Sequence, residues 1–427
     1  MASDGEAIER LTFPGAQGAM LAARVHRPLG PARAWALFAH CFTCGKDLHA
    51  ARRISTALAE QGFAVLRFDF TGIGESEGDF ADTHFSSNLD DLVAAADYLR
   101  AHEQAPSLLV GHSLGGTAVI AAAERIPEAK AVVTIGAPAS PEHVEGLLAP
   151  GTEAAIAEAG QAEVVLAGRR FTIRREFLDD LRRHGLDERV RGLRRALLIL
   201  HAPLDQIVAV DEARKLFVAA LHPKSFVSLD QADHLLTRAA DAEYVATLIA
   251  AWSARYLEEA PAPEPSARRG EHGLVVVRGG PSGFAQEMLV DGHPLRADEP
   301  ASVGGTDTGP APYGLVLAGL GACTSMTLRM YADRKRWPLE GVTVRLRHHK
   351  VHAKDCADCE AEDGKVDVIE REIAMAGPLD PAQRQRLLEI ADRCPVHRTL
   401  ESEIKVRTRE VTGEDLAARP APGERPD

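Results

Sequence analysis

Cysteine is scarce in this chain, with six in 427 residues. That is too few for a disulfide framework in so long a chain, so a thiol here reads as reactive or metal-bound. Aromatic residues make up only 5%, no basic run is interleaved with them, and the formal net charge is −13. A net negative chain without a basic face binds nucleic acid poorly, which excludes that class. No stretch approaches eighteen continuous apolar residues, and the opening MASDGEAIER has no apolar segment of the kind that directs export. No membrane association is therefore expected, and the cytoplasm is the expected compartment. What is present suits a globular protein of two or three domains: 45% of residues are hydrophobic and 26% charged.

Residues 258–273, EEAPAPEPSARRGEHG, concentrate proline, alanine and charge without an apolar period, which predicts an interdomain linker. It separates a first unit, 1–257, from a second, 274–411. The tail 412–427, TGEDLAARPAPGERPD, is too polar and proline-rich to pack and is expected to be disordered.

In the first unit, the apolar runs AWALFA (34–39), AVLRFDF (64–70), SLLVGHS (107–113), KAVVTIG (130–136) and RALLILHA (195–202) alternate with helix-length segments. This alternation predicts a mostly parallel sheet covered by helices on both faces, with functional loops at the strand ends. The sharpest of these ends is Gly111-His112-Ser113-Leu114-Gly115, between a buried strand and an alanine-rich helix. Glycines flanking the serine permit the strained turn that lifts a nucleophilic hydroxyl above a sheet. A serine hydroxyl needs a base, and the base needs an orienting carboxylate. Asp205 follows RALLILHA, and His234 follows SFVSL, with Asp233 and His201 as neighbouring alternatives. Residues 137–194 exceed a simple crossover, include a candidate hairpin EVVLAGRRFTI, and are expected to form a lid.

The order Ser113, Asp205, His234 resembles the alpha/beta-hydrolase family over nearly the whole first unit, together with His40-Cys41-Phe42 and DFTGIGESEG at 69–78. The resemblance implies a serine hydrolase of ester or related acyl substrates that requires no cofactor, with backbone N–H groups of Phe42 and Leu114 as the oxyanion hole.

The second unit has a different pattern: strands at GLVVVRGG and QEMLVDG, a long apolar helix YGLVLAGLGACTSMTLRMYADRKRW, and alternating strands VTVRLRHHKVHA and VDVIEREIAMAG. A helix opened by Pro381 and a last strand EIKVRTREV complete an α+β unit. On the long helix, three-and-four spacing places Cys323 with Val316, Leu320, Thr327 and Met330 on the side expected to be buried. Cys394 sits at a junction, between the end of a helix pattern and a proline.

The segments LGACTSMTLRMYADR and RCPVHRTL, with the strands between them, resemble the OsmC/Ohr family of thiol peroxidases over roughly the whole second unit. The resemblance implies that Cys323 attacks an organic hydroperoxide, that Cys394 resolves the sulfenic acid to a disulfide, and that a lipoamide-like dithiol reduces it. It also implies a homodimer. Two inert core cysteines are the alternative reading of the pair, and the rival function for the unit is a non-catalytic redox-sensing or dimerisation module. Many family members carry a glutamate ten residues before the reactive cysteine, which positions a thiolate-stabilising arginine; Tyr313 stands there, and Arg278 or Arg296 are the candidates for the cation. Two C-x-x-C pairs remain, Cys41/Cys44 and Cys356/Cys359. The second is a candidate half zinc site with His352 or His348, against a reduced, solvated loop; the first reads as packing or as a redox pair.

Overall fold

The short aliphatic runs form most of one eight-stranded sheet. The computed structural model describes residues 8–29, 31–40, 46, 48–166, 169–257, 273–280, 283–352 and 364–410. The tail at 412–427 and all of the predicted linker except Gly273 lie outside them. The strands are β1 (Ile8–Pro14), β2 (Met20–His26), β3 (Ala34–Ala39), β4 (Phe63–Phe68), β5 (Leu108–His112) and β6 (Ala131–Ile135). An insertion follows with a hairpin, β7 (Gln161–Leu166) and β8 (Arg169–Arg174), before β9 (Ala196–His201) and β10 (Lys224–Ser228) return to the sheet. The sheet order is β1-β2-β4-β3-β5-β6-β9-β10. The six strands from β4 to β10 run parallel, while β2 pairs antiparallel with both β1 and β4.

Strand periodicity decides the layers. On β3, Trp35, Leu37 and Ala39 join one core with Leu89 and Leu92 of the helix Phe85–His102. Ala34, Ala36 and Phe38 point the other way, to a core shared with Ile54 and Leu58 of His49–Glu60 and Val245 and Ile249 of Ala239–Ser253. Central strands buried on both faces explain the near-continuous apolar runs. The antiparallel hairpin β1–β2 did not register as a strand pair in the sequence, because β1 is half exposed and its alternation is weak.

The chain divides into two compact units, residues 1–276 with 289–294 and residues 277–288 with 295–427. A three-stranded meander comprises β11 (Val275–Gly279), β12 (Gln286–Val290) and β13 (His293–Ala297). The second unit holds the helix Pro312–Lys335, then β14 (Gly341–His352) paired antiparallel with β15 (Lys365–Ala376). The helix Pro381–Ala391 follows; Asp380 caps it in a reciprocal box with Gln383, and Pro381 occupies its first turn. Leu328, Ala332, Leu387, Ile390 and Ala391 form the core of this unit, flanked by Ile373 and Met375.

Among the described residues the expected last strand does not form. Residues 403–410 have no ladder partner among the described residues, and Ile404 and Val406 stand exposed. Alternation marks which residues share a face; it supplies no partner strand.

Candidate functional site

At the end of β5 the chain makes its sharpest turn. Ser113 has φ 54° and ψ −128°, and the helix Leu114–Ala122 begins at the next residue. A side chain at Gly111 would put its Cβ 2.2 Å from the Gly115 carbonyl oxygen, and one at Gly115 would lie 2.4 Å from that of Ala39. Only glycine fits on either side of the serine, and the surrounding sheet holds the strained conformation in place.

Asp205 and His234 meet at the neighbouring strand ends. His234 Nδ1 lies 2.7 Å from Asp205 Oδ2, while Asp205 Oδ1 accepts the N–H groups of Ile207 at 2.8 Å and Val208 at 2.9 Å. Burial pushes the Asp205 carboxyl up, but the bonds from His234, Val208 and Ile207 prevail and hold it below the usual carboxylate range. Ser113 N–H donates to the Ile135 carbonyl at 2.8 Å. The next residue, Gly136, has φ 55°, and a Cβ there would sit 3.3 Å from His234 Nδ1 and 3.4 Å from Asp205 Oδ2. One turn after β6 therefore links the serine elbow to the Asp205–His234 pair.

The two alternatives have other employment. His201 Nε2 lies 2.8 Å from the Val208 carbonyl oxygen, and the Asp233 carboxylate accepts the Thr237 N–H at 2.9 Å and its hydroxyl at 2.5 Å. The motif also hid a further histidine. His112 Nε2 lies 2.7 Å from the backbone carbonyl of His234, and burial, with His234 close by, pushes its pKa down to about 4. A neutral His112 donates that bond and pins the loop carrying His234. Leu114 is buried at the helix start. Phe42, like Cys41 and Cys44, lies outside the described residues. Just beyond that segment, Lys46 is 1% exposed; its N–H donates to Asp69 Oδ1 at 2.5 Å, and its ammonium to Asp69 at 2.8 Å and Glu75 at 2.9 Å. Both acids come from DFTGIGESEG.

In the second unit the buried stripe of the long helix is Leu320, Thr324, Leu328 and Ala332. This corrects the expected face: Val316 and Met330 are exposed, and Cys323 is half-buried beside the stripe. The helix is apolar on more than one side, so spacing alone could not select the covered face. By length and composition it could cross a membrane, although no continuous apolar run reaches that length. Cys394 is fully buried at the start of a short helix, Pro395–Leu400. Its sulfur accepts the His397 N–H at 3.4 Å and lies 3.7 Å from the Thr324 hydroxyl.

Arg371, absent from the sequence expectations, reaches the same place and donates to Thr324 Oγ1 and to the Ala391 carbonyl, each at 3.2 Å. Arg278 and Arg296 lie instead on β11 and β13. The readable signal was its position: Arg371 alternates with Ile369, Ile373 and Met375 on β15, a charge set between apolar residues. Tyr313, at the glutamate position, stacks on His348 with ring centroids 4.3 Å apart, and His348 Nε2 lies 2.7 Å from Asp367. Cys356 and Cys359 lie outside the described residues, His352 ends β14, and no group of three metal-ligating side chains occurs among the described residues.

Two family models match the chain, OsmC-like protein over residues 305–409 and serine aminopeptidase S33 over residues 44–164. The esterase domain of a Rhodothermus marinus protein is 50% identical, with a TM-score of 0.50 over 59% of this chain and 99% of that one. The alpha/beta hydrolase GrgF from Penicillium sp. sh18 is 16% identical with a TM-score of 0.50, over 58% of this chain and 99% of its own, which shows a shared fold. Rat mitochondrial palmitoyl-protein thioesterase ABHD10 is 36% identical over 75 residues, 18% of this chain and only 24% of that relative. The chain belongs to the alpha/beta-hydrolase family through its first unit, an esterase-like serine hydrolase domain, and carries an OsmC-like domain in its second.

Proposed function

We propose that the chain is a bifunctional enzyme, a serine hydrolase of acyl esters or thioesters joined to a two-cysteine reductase of organic hydroperoxides. The observation that carries the first half is the 2.7 Å Asp205–His234 hydrogen bond beside the strained Ser113 elbow. Asp205 fixes the tautomer with the proton on His234 Nδ1, which leaves Nε2 free to take the Ser113 proton. Ser113 Oγ attacks the acyl carbonyl, and the backbone N–H groups of Phe42 and Leu114 stabilise the oxyanion. His234 then protonates the leaving alcohol or thiol, and water releases the acid by the reverse sequence. The likeness to an esterase domain and to a thioesterase supports an acyl substrate, and the insertion 137–194, as a lid, sets its size. A fluorophosphonate probe should label one residue, Ser113, in the intact protein; labelling elsewhere, with Ser113 unmodified, would refute the triad.

In the second half, the Cys323 thiolate attacks the distal peroxide oxygen and expels an alkoxide, Cys394 converts the sulfenic acid to a disulfide, and a lipoamide-like dithiol restores both thiols. Placement of Cys394 against Thr324, the chain neighbour of Cys323, supports this. A homodimer in the cytoplasm completes the proposal. The exposed Val316, Met326 and Met330 on the long helix also favour a rival in which this domain only dimerises or senses redox state. Peroxide consumption separates the two.

A further inference from the structure

We infer that Thr324 and Arg371 are positioning residues for the resolving step, a role that rests on the peroxidase reading above. Arg371 ties three elements together: from β15 it donates to Thr324 on the long helix, to the Ala391 carbonyl, and to Asp392 Oδ1 at 2.5 Å. Ala391 closes the helix Pro381–Ala391, and Cys394 follows three residues later, so the guanidinium fixes the segment carrying one cysteine to the helix carrying the other.

The directions of these bonds follow from proton inventory. Arginine only donates, so Thr324 Oγ1 accepts from it. The Thr324 proton goes to the Leu320 carbonyl at 2.8 Å, which leaves one lone pair of the hydroxyl facing Cys394 Sγ at 3.7 Å. The His397 N–H holds the sulfur from the other side. Thr324 is fully buried, and every bonding capacity of its hydroxyl is used. An arginine set between Ile369 and Ile373 on β15 is a costly choice for packing alone, since an aliphatic residue would serve there without desolvating a charge. Its geometry fits a different task. A sulfur that must meet its partner only after oxidation has to be held within reach beforehand.

The step it serves is balanced. Peroxide leaves Cys323 as a sulfenic acid. The Cys394 sulfur then attacks the Cys323 sulfur, so an S–S bond forms, the S–O bond breaks, and the departing hydroxide leaves as water with the Cys394 proton. If this attack is slow, a second peroxide oxidises Cys323 to the sulfinic acid instead. The ratio of disulfide to sulfinic acid therefore reads out how well the two sulfurs are positioned.

The test uses the full chain, cumene hydroperoxide and peptide mass spectrometry. Thr324→Val and Arg371→Met should slow disulfide closure by up to about a hundredfold, the scale for a reacting group displaced by about 1 Å, and shift the product to Cys323 sulfinic acid. Thr324→Ser, which keeps the hydroxyl, should restore closure and so separates a lost bond from a lost fold. Arg371→Lys should not, because an ammonium cannot span the three acceptors with a planar fork. A wild-type Cys323–Cys394 disulfide that forms equally fast in Thr324→Val and Arg371→Met overturns the inference and leaves the peroxidase reading standing. An unreactive wild-type Cys323 overturns both.

Discussion

In the first unit both faces of the eight-stranded sheet are covered, and the alternate residues of β3 are consumed by two separate cores. In the second unit a helix of 24 residues buries only Leu320, Thr324, Leu328 and Ala332, while Met330 is 73% exposed and Val406, on the unpaired segment 403–410, is 87% exposed. Both units carry similar apolar patterns, yet among the described residues the second leaves more of its pattern uncovered. An excess of patterned apolar surface is what an obligate interface looks like before its partner arrives. The first unit holds its Asp205–His234 pair in a covered interior; the second, among the described residues, has a clamp of polar bonds inside and apolar surface outside.

The largest effect that would break this contrast is on assembly. If the exposed helix face joins two copies, light scattering on the wild type should give twice the chain mass, and Met326→Asp with Met330→Asp should reduce it to one. A wild-type monomer would mean that the apolar excess serves something else. A smaller effect probes the first unit. Its buried His112 has a pKa near 4 against an ordinary 6.5, so the unfolded chain takes up the proton more readily between those values. Stability must then fall as pH drops from about 6.5 to about 4, by up to roughly 3 kcal/mol for this one group. His112→Gln keeps an N–H donor for the His234 carbonyl and cannot titrate, so urea unfolding across that window should show a flatter pH dependence. An unchanged slope would place the acid sensitivity elsewhere.

Much of this was legible in the sequence where one residue's chemistry is confined by its neighbours on the chain. G-x-S-x-G announces its own turn, and strands buried on both faces announce themselves as apolar runs, so β3, β4, β5, β6 and β9 fell where expected. Asp205 and His234 were chosen by their place after strands, and the structure brings these two within 2.7 Å of each other while bonding His201 to Val208 and Asp233 to Thr237. Gly136, Lys46 and Arg371 were missed because their roles are set across the fold: a turn lying against His234, an anchor on Asp69, a strand residue meeting two helices. The last strand failed for the converse reason, since EIKVRTREV has the period of a strand and no partner among the described residues.

The central claim is that two separate nucleophiles act in one chain, and a crossed assay tests it most directly. Ester hydrolysis and dithiol-dependent reduction of an organic hydroperoxide are measured on the intact wild type, Ser113→Ala and Cys323→Ser. The account predicts that Ser113→Ala loses hydrolysis, by several orders of magnitude as expected for removal of a nucleophile, while its peroxide reduction persists, and that Cys323→Ser does the reverse. Hydrolysis that survives Ser113→Ala, or peroxide reduction that is absent from the wild type or survives Cys323→Ser, would contradict it.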